Sequence, residues 1–84
     1  MFLHLGNDKV IPLRDVISIH NYQGPSSDIN NEFIQMMKEE HMIVDISDNN
    51  PKSFVITDKI VYVSTISSMT LKKRSSYNGE SDNE

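Results

Sequence analysis

The chain contains no cysteine, which excludes a disulfide framework and the common structural zinc patterns, and leaves the fold to packing and hydrogen bonding alone. It has three glycines and no glycine-rich phosphate loop, so nucleotide-binding motifs of that kind are excluded. No apolar run approaches the roughly 18 residues that a spanning helix requires, and the opening MFLHLGND has no basic leader, so the chain reads as soluble and cytoplasmic, with no membrane partner. Tryptophan is absent and Tyr22, Tyr62 and Tyr77 are scattered, which is not the stacking platform of a single-strand nucleic-acid reader. His4, His20 and His41 lack any i, i+3 or i+4 relation, so no metal ligand set is expected, and no serine sits in a nucleophile elbow. No cofactor is implied and the chain does not read as an enzyme.

What is present is a small α+β domain. Phe2 to Leu5 and Lys9 to Leu13 flank Gly6, Asn7 and Asp8, residues that accept the left-handed conformations of a short hairpin turn. Pro12 cannot donate to a ladder and ends that strand or holds it at an edge. Val16 to Tyr22 is a third strand. One main helix is predicted from Asp28 to about His41, capped by Ser26 or Ser27, with Ile29, Phe33, Met36 and Met37 as its apolar stripe and His41 as a partner of its dipole.

Met42 to Ser64 reads as a three-stranded meander: Met42 to Ile46, a polar turn from Ser47 to Pro51, Phe54 to Thr57, a tight connection at Asp58 and Lys59, and a strand from Ile60 to Ile66. Its strands are apolar on both faces, and with only one substantial helix available the second face is expected to be covered by another copy, giving a homo-oligomer. Ser67 to Arg74 reads as a short helix with a serine cap, anchored by Met69 and Leu71, whose basic end complements its own dipole. The domain is drawn at residues 1–74, followed by a disordered acidic tail over 75–84.

Charge points to one lead. The formal net charge is −4, but Glu80, Asp82 and Glu84 lie in the tail, and without them nine acidic residues face eight basic ones. The run Lys72, Lys73 and Arg74, Lys52 in the polar turn, and Arg14 at a strand junction are the candidate contacts to the phosphates of double-stranded DNA.

Read in order, the blocks MFLHLGNDKVI, LRDVISI, IQMMKEEHMIVDIS, PKSFVIT and SSMTLKKR resemble the Rem family of small bacterial extracellular-matrix regulators, and SSMTLKKR resembles one of its two paralogous branches more than the other. The resemblance implies a DNA-binding transcriptional regulator of matrix and biofilm genes, built on a β-rich domain similar to the LytTR type, about six short strands with a main helix and a short C-terminal one, assembled into a ring with DNA along a basic outer surface. It carries a family arginine onto Arg14. Where the other branch has an arginine-rich turn, this chain has Asn49, Asn50, Pro51, Lys52 and Ser53. Two function classes therefore stay open: a ring that binds DNA directly, and an oligomeric interaction protein acting through a paralogous regulator or another partner.

Overall fold

The computed structural model describes the backbone over residues 1–23 and 27–82, and side chains over 1–23 and 31–75. The first strand, β1 (Phe2–Gly6), pairs antiparallel with β2 (Lys9–Pro12). Asn7 and Asp8 hold φ of 52° and 63°, and Gly6 holds 96°, as the turn composition predicts. A Cβ on Gly6 would lie 3.3 Å from Ile66 Cδ1, so a side chain there meets both strain and crowding. Pro12 ends β2 and leads into a single 3-10 turn, Leu13–Asp15, which carries Arg14 exposed at the junction with β3 (Val16–Asn21).

The main helix, α1 (Ser27–Glu39), ends at a left-handed His41 with φ 60°: Met42 N–H donates to Met37 O at 2.9 Å and His41 N–H to Lys38 O at 3.0 Å. This is the Schellman closure, in which His41 takes the place usually given to glycine. The expected Ser26 or Ser27 cap and the packing of Ile29 lie outside the described residues. The apolar stripe is rotated from the predicted one: Phe33, Ile34 and Met37 face the core, and Met36 is 54 % exposed.

The meander is corrected. Strands β4 (Ile43–Asp45), β5 (Ser53–Thr57) and β6 (Val61–Ser64) lie with β3 in the order β3-β5-β6-β4, and β4 runs parallel to β6 instead of pairing with β5. The polar turn is therefore a bridge over the end of β6. Ile46 N–H donates to Val63 O and Lys52 N–H to Ser64 O, both at 2.9 Å, one on each side of β6. Two strand spacings of about 4.8 Å each must be crossed, too far for a two-residue hairpin. Asp45 starts the crossing by accepting from Ser47 N–H and Oγ–H at 2.9 and 2.6 Å, and left-handed Asp48 and Asn49 complete it.

Both apolar faces of this sheet are covered within one chain, which corrects the expectation that a second copy must cover one of them. On one face α1 buries Ile34 against Phe54, Val61 and Val63. On the other, the β1-β2 hairpin folds back as a lid, and Leu3, Leu5 and Ile11 close with Val55 and Leu71. Leu71 belongs to the last helix, α2 (Ser68–Asp82), capped by Ser67 Oγ accepting from Thr70 N–H at 3.1 Å. That helix is longer than predicted, so Lys72 to Arg74 lie in its first half and not at its C-terminal end. Of its two expected anchors Leu71 is fully buried, whereas Met69 is 78 % exposed.

Ser64 ties lid to sheet. Its buried hydroxyl donates to Leu5 O at 2.7 Å and accepts from Ile66 N–H at 3.0 Å. Ser64→Ala strands both backbone groups, and the expected loss is about 1–3 kcal/mol. Urea denaturation checks this; an unchanged midpoint would mean the lid does not depend on that bond.

Candidate nucleic-acid interface

The cations singled out in the sequence lie at three separate clefts and around α2. Its first residues, Ser67, Ser68 and Met69, border a cleft with Asn21 and Lys52, at the end of β3. One turn further on, Lys72 borders a second cleft with Leu13, Val16, Ile17 and Ile19, at the beginning of β3. The helix thus runs back along β3 and packs on it through Leu71, with a separate cleft toward each end of the strand. A third cleft, lined by Met1, Phe2, Pro12, Leu13 and Arg14, shares Leu13 with the second. Lys52, Lys72 and Arg14 each border a different cleft, all exposed. Six residues of β3 at about 3.3 Å each give roughly 20 Å, close to six base-pair steps of duplex at about 3.4 Å.

Lys73 and Arg74 sit differently. Successive helical residues turn by about 100°, so with Leu71 aimed into the core Lys73 projects away from the sheet and Lys72 and Arg74 flank it. Arg74 Nη1–H donates to His4 O at 3.1 Å, which holds α2 against β1 while the side chain stays exposed. Lys9, by contrast, is engaged elsewhere, its Nζ 5.4 Å from the centre of the Tyr62 ring. Lys52, Lys72 and Arg14 thus border three clefts, Lys73 projects from α2, and Arg74 reaches around α2 toward the hairpin.

The outward surface of α1 presents exposed Glu32 and Glu39 against Lys38, with Glu40 following, whereas the first half of α2 carries the exposed run Lys72, Lys73 and Arg74. The second half of α2 carries Glu80 and Asp82 in sequence, Asp48 lies in the turn near Lys52 and Asp15 adjoins Arg14, so the basic stretch is local to the start of α2.

Sequence reasoning missed the polar lining at the Lys52 end, where Gln23, Ser67 and Ser68 add hydrogen-bonding groups. The serine pair at the helix start was the available signal. His20 is structural: its Nε2 lies 2.9 Å from Ser18 Oγ and its ring stacks on Phe54 with centroids 4.9 Å apart. Among the described residues no group of three His, Cys, Asp or Glu is placed to hold a metal, and no helix is long and apolar enough to cross a membrane.

The family model described as RemA-like, "Extracellular matrix regulatory protein A-like", matches residues 2–74. The chain is also 39 % identical over 82 residues to Extracellular matrix regulatory protein B of Bacillus subtilis (strain 168), covering 98 % of this chain and 99 % of that protein. That agrees with the branch to which SSMTLKKR pointed.

Proposed function

This chain belongs to the RemA-like family of extracellular matrix regulatory proteins, and from that premise we propose that it is a DNA-binding transcriptional regulator of matrix and biofilm genes. It acts in the cytoplasm, without catalysis, as a ring-like homo-oligomer of a domain similar to the LytTR type. The observation that supports the reading is the exposed run Lys72, Lys73 and Arg74 on α2, with Lys52 and Arg14 exposed at clefts near the two ends of β3.

The contacts are to phosphates. No described helix arrays Asn, Gln and Arg to read base edges in the major groove, so the cations position DNA without specifying sequence. Repetition around an oligomer adds modest contacts into useful affinity. The test is a mobility-shift competition, in which an unrelated duplex displaces a labelled promoter fragment almost as well as unlabelled promoter does. No shift with any duplex would overturn direct binding.

One feature favours a second reading. The turn from Asp48 to Ser53 carries a single cation, Lys52, beside Asp48, so an oligomeric interaction protein that reaches DNA through a paralogous regulator is the alternative. A shift that appears only when the paralogue is added supports it.

The working domain is residues 1–74, and the segment 75–84, which continues α2 to Asp82 and adds acidic charge, weakens duplex binding. Deleting 75–84 removes three negative charges and no positive one, and duplex affinity is expected to rise. A lower melting temperature in the deletion would show that the second half of α2 also stabilises the fold.

A further inference from the structure

Met69 is the most exposed large apolar side chain among the described residues, and its place on α2 explains why the core does not use it. Leu71 points inward, and two residues along a helix is a rotation of about 200°, so Met69 faces away from the sheet. Lys73, two residues beyond Leu71, faces the same way. It lies four residues from Met69 and Lys72 lies three, the spacings at which helical side chains are neighbours. Met69 also borders the cleft at the end of β3, together with Lys52 and exposed Gln23. The backbone of Lys52 is fixed on both sides: its N–H donates to Ser64 O at 2.9 Å and its carbonyl accepts from Tyr22 N–H at 3.0 Å. One apolar side chain thus stands among cations from two segments of the chain.

We infer that Met69 enters the minor groove of duplex DNA as an apolar wedge that partly opens a base step, while Lys52, Lys72 and Lys73 hold the flanking phosphates. The inference rests on the proposed function and adds to it a contact that is not to phosphate. Charge complementarity commits the site to a polyanion, and an apolar side chain among the cations asks for a polyanion with apolar faces between its charges, which sugars and stacked bases supply. The minor groove is about 6 Å wide, too narrow for a helix of about 10 Å but open to one unbranched, adaptable side chain. Its edges present mainly acceptors, N3 of adenine and O2 of thymine, which suit the amide N–H groups of Gln23. Apolar residues inserted there unstack a base step and bend the duplex. The cations keep their phosphates, because the methionine goes between the backbones they hold.

The test uses the full chain, as the unaltered protein, Met69→Ala and Met69→Leu, with thermal melts to confirm that both variants fold. The probes are short duplexes carrying 2-aminopurine at successive positions, a base analogue whose fluorescence rises when it is unstacked. Affinity is measured across a salt series. Met69→Ala is expected to bind about tenfold more weakly at every salt concentration, because the lost contact is apolar, with the slope of log affinity against log salt unchanged, because no phosphate contact is lost. The fluorescence rise produced by the saturating unaltered chain is expected to vanish with Met69→Ala and to persist with Met69→Leu, which keeps an apolar wedge. Equal affinity of Met69→Ala and the unaltered chain would overturn the inference. So would a duplex bound by the unaltered chain with no rise at any position, or a flattened slope in Met69→Ala, which would make Met69 a prop for the lysines. In each of these cases steep salt dependence of the unaltered chain leaves the phosphate contacts standing. Absence of binding to any duplex would instead overturn the proposed function, and this inference with it.

Discussion

Phe54→Ala is expected to remove about 3–5 kcal/mol of folding stability, a large share of the roughly 4–13 kcal/mol that 84 residues hold at about 0.05–0.15 kcal/mol per residue. Phe54 is 2 % exposed and is the largest fully enclosed side chain beneath α1. Its ring stacks on His20 at an interplanar angle of 17°, meets Tyr22 edge-on at 84°, and lies 6.0 Å from Phe33. Removing it empties the space on which the helix sits and breaks three ring contacts at once. Circular dichroism with urea titration measures the loss, with Met69→Ala as a control on a side chain 78 % exposed, expected to change stability by no more than about 0.5 kcal/mol. A loss under about 1 kcal/mol for Phe54→Ala, against the 3–5 typical of buried aromatics, would mean that α1 is not seated on this ring.

The largest functional effect is expected from changing Lys72, Lys73 and Arg74 together to Ala. Each phosphate neutralised contributes about −0.9 to the slope of log affinity against log salt, so three lost contacts flatten that slope by about 2.7. Between 50 and 200 mM salt the unaltered protein should then lose about 40-fold more affinity than the variant does. The variant should bind every duplex more weakly at low salt, whatever its sequence. Solution mass is measured in parallel, and Lys73→Ala alone tests a side chain that projects away from the sheet. Binding unchanged in the triple variant would put the DNA surface elsewhere.

Much of the fold is legible in the residues because local chemistry decides it. Gly6, Asn7 and Asp8 make the first hairpin, and Pro12 stops β2 where its missing N–H matters least. What local chemistry does not encode is which strand lies beside which. The residues from Ser47 to Pro51 favour a turn equally well in a hairpin and in a bridge over β6, so the parallel pairing of β4 with β6 was hidden. The phase of α1 was hidden for a similar reason. Ile34 and Met36 are both apolar, and only the position of Phe54, some twenty residues later in the chain, selects Ile34 for burial. The lid was misread because Leu3, Leu5 and Ile11 declare a strand pair without declaring that it folds onto the sheet. Individual cations could be named from sequence; that Lys52 and Lys72 border clefts toward opposite ends of β3 depends on α2 running back along that strand, a tertiary fact.

The central claim is direct binding of duplex DNA through phosphates, and it is tested most directly by titrating a labelled duplex with the unaltered full chain across a series of salt concentrations. The account predicts binding at low salt whose logarithm falls linearly with log salt, at about −0.9 per phosphate contacted, with little preference among sequences. Absence of binding to any duplex at about 50 mM salt, where phosphate contacts are strong, would contradict it.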